Sequence, residues 1–255
     1  MKRFLMIAAI CVVVLVAVLG GLFWYLFGGL QAQNAGLALG AGAEPVYDGF
    51  STAFLLDAGN GSVALIDAGN DAKGAAILAA LQKRNATPDN VAAIFMTHAH
   101  PDHDAAIALF PKATVYAMKR EIPIAQGKEA YGSPFSSMTG KYNAHPFEIG
   151  HPLEDGEKVT VGDLEVTAFA VPGHTQGSAA YLARGVLYLG DAAMISSKQQ
   201  VIGPAKPFST DVAEGVASLK HLAAELQPRA DEVKMLATGH SGGLAAGPAA
   251  LASAQ

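Results

Sequence analysis

A mixed α/β sandwich behind an N-terminal transmembrane helix is the fold class this sequence predicts. Three observations carry that expectation. Residues 4–30 contain no charged side chain. From residue 50 onward, short apolar runs first pair as hairpins around Gly-rich turns and later alternate with stretches of helical period. Four of the runs then end in a small residue followed by His or Asp, the form of a loop delivered at a strand end.

The N-terminal stretch is long enough for a membrane span, which needs about 20 apolar residues. Lys2-Arg3 precedes it. The positive-inside rule then holds this end in the cytoplasm of a bacterium and places the rest beyond the inner membrane, in the periplasm or outside. Phe23, Trp24, Tyr25 and Phe27 resemble an interfacial aromatic belt. If Ala41-Gly42-Ala43 were instead a late signal-cleavage site, the product would be periplasmic or secreted. Residues 1–30 thus read as an anchor or signal segment, 31–44 as a small, polar linker, and 45–255 as one domain.

Within that domain, 50–56 and 62–67 read as strands around the turn Asp57-Ala58-Gly59-Asn60-Gly61. Asn70-Asp71 is expected to cap a helix over 72–84, with Ile77, Leu78 and Leu81 on one face. Thr87-Pro88-Asp89-Asn90 breaks the chain before an apolar strand over 91–96. A short helix over 104–110, with Asp104 as its N-cap, and a strand over 114–117 follow. Residues 121–150 mix Pro, Gly and Ser with Tyr131, Phe135, Met138, Tyr142 and Phe147, and read as a long loop or flap. Strands 158–161 and 164–171 turn about Gly162-Asp163, and strands 179–183 and 186–189 about Arg184-Gly185. A helix over 211–226 puts Val212, Val216, Leu219 and Leu222 inward, a last strand covers 234–237, and the Ala-rich tail from Gly247 is expected to fray.

Composition narrows the function. With 17 basic and 22 acidic residues the net charge is −5, which gives no electrostatic footprint for nucleic acid. The single cysteine, Cys11, excludes an internal disulfide and lies in the apolar N-terminal stretch. The segment Thr97-His98-Ala99-His100-Pro101-Asp102-His103 crowds three imidazoles and a carboxylate onto the end of the 91–96 strand. Core packing does not call for that density, whereas zinc, iron and manganese do. His98 and His100, one residue apart, can point to one side, and Asp102 and His103 follow after the turn at Pro101. His174 in Pro172-Gly173-His174-Thr175, Asp191 after Gly190 and His240 after Gly239 repeat the strand-end form. A glycine before each lets the backbone turn sharply next to the site. His145, His151 and His221 lack such settings and read as surface residues, and Ser178 as a turn residue.

These motifs resemble the metallo-β-lactamase superfamily. Leu65-Ile66-Asp67-Ala68-Gly69, the His98-to-His103 cluster, Pro172-Gly173-His174-Thr175-Gln176-Gly177-Ser178, Leu189-Gly190-Asp191 and Thr238-Gly239-His240 occur in the family's order across about 45–245. The resemblance implies a four-layer αβ/βα sandwich with metals at one edge. It implies one ion on His98, His100 and His174, a second on Asp102, His103 and His240, and Asp191 as the bridge. Asp67 is implied as support behind the site. The implied cofactors are two divalent ions, zinc first with iron or manganese as alternatives. The implied activity is hydrolysis of a small-molecule ester, lactone, thioester or amide by a metal-bound hydroxide, with Asp102 as the proton-handling catalytic residue. Asp191 resembles the glyoxalase II and lactonase-like branch more than the zinc β-lactamases. The chain stops soon after His240, short of the helical region glyoxalase II carries. Two other readings share the motif set: a mononuclear iron persulfide dioxygenase using His98, His174 and Asp191, and a non-catalytic metal-binding member.

Overall fold

The computed structural model describes residues 6, 10–18, 20–21, 28–133 and 146–255. The chain divides into two units, Met1–Leu30 and Gln31–Gln255.

In the first unit the expectation of a membrane-spanning helix fails: among the described residues no helix is long and apolar enough to cross a bilayer. The described residues 6, 10–18 and 20–21 of this unit are helical, and Val12, Val13, Leu15 and Val16 among them are exposed. An uncharged, apolar composition permits a span but does not fix the length of a helix, and Gly20 and Gly21 carry the helix-weakening entropy of glycine. The inner-membrane location expected from that helix loses its basis with it. Lys2, Arg3 and the aromatics Phe23, Trp24, Tyr25 and Phe27 lie outside the described residues.

The second unit is built on two six-stranded sheets. The first runs β1 (Ala43–Asp48), β2 (Ser51–Asp57), β3 (Val63–Ile66), β4 (Val91–Phe95), β5 (Thr114–Met118) and β6 (His151–Leu153) in sequence order. β1–β3 are antiparallel, and β3–β6 are parallel. The second contains β7 (Lys158–Val161), β8 (Leu164–Ala170), β9 (Ala179–Ala183), β10 (Val186–Tyr188), β13 (Met235–Ala237) and β14 (Gly243–Leu244), in spatial order β14-β13-β10-β9-β8-β7. β11 (Met194–Ile195) and β12 (Val201–Ile202) pair separately.

Between the sheets lie Phe54, Ile66, Phe95, Val166, Tyr181 and Tyr188. Helix α1 (Ala75–Lys83) buries Ile77, Ala80 and Leu81 on the outer face of the first sheet. Two single-turn helices, α2 (Pro101–Asp104) and α3 (Ile122–Ala125), follow β4 and β5. Helix α4 (Val212–Leu226) buries Leu219, Leu222 and Leu226 on the outer face of the second sheet. The order is therefore αβ/βα, as the motifs implied. β4 is apolar throughout because Ile94 faces α1 while Ala93 and Phe95 face the other sheet. Tyr181 crosses the interior and donates its hydroxyl to the Met96 carbonyl at 2.6 Å, joining the sheets beside the ligand loop.

Four local expectations change. The tail does not fray: Leu251 and Ala254 are buried against the α4 layer. Asp104 closes α2 and is buried rather than capping a helix, and His100 occupies the cap position. The 72–84 helix starts late, at Ala75, with Asp71 accepting from Lys73 N and Ala75 N ahead of it. Within 121–150 the described residues include α3, while Phe135, Met138, Tyr142 and His145 lie outside them.

Candidate metal centre

Four loops gather at one edge of the sandwich and are tied to each other through backbone. Ala179 N donates to Thr97 O at 2.8 Å, Gly239 N to Gly190 O at 2.9 Å, and Thr52 N to Gly239 O at 2.8 Å. Pro101 opens α2 at the position where a missing N–H costs nothing, so Asp102 and His103 ride its single turn. The start of α4 grips the third loop: Asp211 N donates to Gly173 O at 2.8 Å and Thr210 N to His174 O at 2.9 Å. Gly173 has φ +138° and the backbone of Gly215 pressed against it, so no side chain fits there. At Gly239 a Cβ would meet Asp191 Oδ1 and the His103 ring.

The result is convergence of all seven expected side chains. His174 Nε2 stands 3.2 Å from His98 Nε2 and 3.0 Å from His100 Nδ1. His103 Nε2 is 3.3 Å from His240 Nε2 and 3.6 Å from Asp102 Oδ2, and His240 Nε2 is 3.3 Å from that same oxygen. Asp191 lies between the groups. Its Oδ1 is 3.4 Å from His103 Nε2, and its Oδ2 is 3.0 Å from His240 Nε2 and 3.7 Å from His174 Nε2. Ligands of a tetrahedral ion bound at about 2.0–2.1 Å stand ~3.3 Å apart, so this spacing suits a small divalent cation. Asp191 Oδ1 and His100 Nε2 are buried with no hydrogen-bond partner among the described residues. For the carboxylate oxygen, a cation is the natural partner. His151 and His221 lie exposed, as expected, and take no part.

Hydrogen bonds behind the ring set the tautomers. Ser209 Oγ donates to Ala205 O at 2.7 Å and therefore accepts from His174 Nδ1–H at 3.0 Å. Thr97 Oγ1 donates to Asp67 Oδ2 at 2.8 Å and accepts from His98 Nδ1–H at 3.0 Å. His103 Nδ1–H donates to the same Asp67 Oδ2 at 2.8 Å, and His240 Nδ1–H to Phe50 O at 2.7 Å. With the ring neutral, each of these bonds leaves an Nε2 lone pair facing the centre. Asp67 reaches this position from a left-handed backbone, φ +59°, which Asp tolerates better than most residues. Its carboxylate also accepts from Thr97 N at 2.7 Å.

The side chains alone titrate in two ways. Burial pushes His98 and His100 well below the usual imidazole range and brings His174 down to about 4. Burial also opposes charge on His103 and His240. There the carboxylates outweigh it: Asp102, Asp191 and Asp67 hold His103 well above its ordinary value, and Asp191 and Asp102 lift His240 to about 10. Burial likewise acts to raise Asp102, but His103 and His240 prevail and bring it down to about 2.

Sequence reading missed Phe50, Thr97 and Ser209 as partners. Thr97 carried a signal, since it directly precedes the cluster. Ser209 and the Phe50 carbonyl carried none, because their role depends on folding distant segments together.

The sequence model of the Metallo-beta-lactamase superfamily matches residues 46–240. A hydroxyacylglutathione hydrolase of Fuscovulum blasticum is 32% identical over 176 residues, 68% of this chain and 57% of its own length. A probable metallo-hydrolase, YflN, of Bacillus subtilis (strain 168) is 29% identical over 206 residues, 70% of this chain and 75% of its own. The chain spans between 29% and 57% of the length of the curated hydroxyacylglutathione hydrolases it matches. A B3 metallo-beta-lactamase with an active-site glutamic acid shares the fold, with TM-score 0.63 and 22% identity over 85% of this chain and 84% of its own. With the family match running from β1 to His240 and the sandwich and strand-end loops in place, the chain belongs to the metallo-beta-lactamase superfamily.

Proposed function

We propose that this chain is a hydrolase that holds two divalent cations, zinc by preference, and cleaves an ester, lactone, thioester or amide with water. The observation behind this reading is the donor spacing: five imidazole nitrogens and two carboxylates meet at 3.0–3.7 Å. His98, His100 and His174 would hold one cation, and Asp102, His103 and His240 the other, with Asp191 reaching both. Neutral imidazole and carboxylate suit zinc, and iron or manganese less well. When bound, the pair supplies a water of lowered pKa and polarises the scissile carbonyl oxygen.

The chain's own residues handle orientation and the proton. Asp102 is kept ionised by His103 and His240. Its Oδ2 can therefore accept the proton the attacking water gives up and return it to the leaving group. Its partner at the mouth, His240, is held by the Phe50 carbonyl, and the exposed Phe50 ring stacks on it at 5.9 Å. That ring offers an apolar lip to a substrate's acyl part. No cysteine nucleophile competes for the role, since the one cysteine is Cys11.

The names of the relatives direct the substrate panel: a hydroxyacylglutathione, a β-lactam, a lactone and simple esters. Metal content is to be measured on the same sample. The expected result is about two zinc per chain, with hydrolysis of at least one substrate lost in Asp102→Ala. Activity in metal-free protein, or iron with oxygen uptake and no hydrolysis, overturns the reading.

A further inference from the structure

Glu121 ends the helical turn Lys119–Glu121 after β5 and is fully buried. An ionised carboxylate in that position is costly unless donors surround it. Three do. Ala99 N donates to Oε1 at 2.8 Å, and Thr175 Oγ1 and Gly177 N donate to Oε2 at 2.8 and 3.0 Å. Ala99 sits between His98 and His100, and Thr175 directly follows His174. At Gly177 a Cβ would strike the Glu121 backbone, so the loop comes as close as a chain can. One carboxylate therefore clasps the two loops that carry His98, His100 and His174.

Resting on the two-cation reading above, we propose that Glu121 is a positioning residue for one half of the centre alone. It fixes the register in which His98, His100 and His174 meet, and it leaves the Asp102, His103 and His240 half independent. The chemistry requires a carboxylate. All three partners donate, and two are backbone N–H groups on opposite oxygens. A glutamine presents one oxygen and one NH₂, so in either orientation its NH₂ faces a backbone N–H and leaves it without an acceptor. Burial pushes the Glu121 carboxyl up to about 7, and the three hydrogen bonds pull against that rise.

The test uses the full chain, stripped with a chelator and titrated with zinc against a chromophoric chelator. Glu121→Gln is made in two backgrounds: His240→Ala, which leaves the buried half, and His174→Ala, which leaves the other. Zinc affinity should fall about 10–100-fold in the first background, the range for loss of an outer hydrogen-bond partner, and stay unchanged in the second. A residue that merely supports the fold would lower both alike. Should Glu121→Gln not fold, Thr175→Val removes one donor and should show the same selectivity at smaller size. Equal losses in the two backgrounds, or no loss in either, overturn the inference while leaving two-cation binding intact. A wild-type chain that takes up no zinc overturns the two-cation reading and this inference with it.

Discussion

The two halves of the centre use the same side-chain chemistry in opposite settings. His98, His100 and His174 are buried, at 1%, 8% and 1% exposure, and Asp191 Oδ2 lies 3.7 Å from His174 Nε2. In the other half the side chains of Asp102 and His240 are 21% and 19% exposed, and His103 and His240 stand among Asp67, Asp102 and Asp191. Burial holds the first set of imidazoles neutral. The carboxylates hold the second set protonated. A cation binds only the neutral ring. On the two-cation reading the buried half would bind at neutral pH without releasing protons, while the open half would release them as it fills. The difference leads to the expectation that ligand identity alone does not set affinity: the buried half should be the tighter seat, and the open half the one that exchanges and meets substrate.

The strongest way to break that contrast is to remove one half at a time. His174→Ala and His240→Ala should each lower kcat/KM by at least about 10²-fold, since a cation supplies several kcal/mol of transition-state stabilisation. They should differ in what remains bound. His240→Ala is expected to keep one zinc through gel filtration, and His174→Ala to keep less than one. Retention in the reverse order would invert the assignment of tight and exchangeable seats.

A second measurement sharpens the contrast in the chelator-stripped protein. Folding lowers His174 from 6.5 to about 4, so between those values the unfolded chain binds more protons than the folded one. Stability then rises with pH through that window, and roughly 3 kcal/mol is lost on acidification. Folding raises His240 from 6.5 to about 10, so there the folded chain binds more protons. That contribution is complete below 6.5 and disappears as pH climbs toward 10. Denaturant midpoints across pH 4–10 should show an acid arm weakened by His174→Ala and an alkaline arm weakened by His240→Ala. Arms that respond to neither variant would remove the electrostatic basis of the contrast.

How legible each half was in the sequence follows from the same geometry. The strand-end rule found all seven converging side chains because Gly or Thr directly before the first ligand is a local signal, readable at His98, His174, Asp191 and His240. The mixed α/β sandwich was legible from hairpins followed by alternating helices and strands, and its αβ/βα order from the family resemblance of the motifs. Pairings with little local patterning were not. β1, β6 and the β11–β12 hairpin are short, and their pairing rests on partners elsewhere in the chain. The tail was misread because alanine says little about burial, and Leu251 alone marked the packed face. The membrane helix was misread because hydropathy reports what a segment could do, and among the described residues no helix is long and apolar enough to cross a bilayer.

Support behind the rings should give smaller effects, again divided by half. Asp67 accepts from His103 Nδ1–H, Thr97 Oγ1 and Thr97 N. Asp67→Asn keeps the size and tolerates the left-handed backbone, but removes a charge and places an NH₂ among donors. Zinc affinity in the open half should fall about 10–100-fold, and in the buried half less, since Asp67 reaches His98 only through Thr97. Ser209→Ala, which strips the His174 partner, should act on the buried half instead. If the larger loss falls on the same zinc in both variants, the halves are not separable.

The smallest effect expected concerns a support that only the open half possesses. Residues 31–36 lie outside the region matched by the family, and they brace the His240 loop. Gln31 Nε2 donates to Gly243 O at 2.8 Å and Ser241 O at 3.2 Å, and Gln33 Nε2 donates to Ser51 O and to Thr52 Oγ1 at 2.9 Å. Ala35 O accepts from Gly243 N at 2.9 Å and lies where a side chain on Gly242 would go. The strap thus touches both the loop that holds His240 and the residues beside Phe50, whose carbonyl orients that ring. A half that opens to solvent has fewer packing contacts to fix its ligands, and hydrogen bonds from a neighbouring segment take over part of that task. Gln31→Ala removes side-chain hydrogen bonds worth about 1 kcal/mol each. Zinc in the open half should bind only a few-fold more weakly, with the buried half unaffected. An equal loss in both halves would mean that the strap steadies the fold at large rather than the His240 seat.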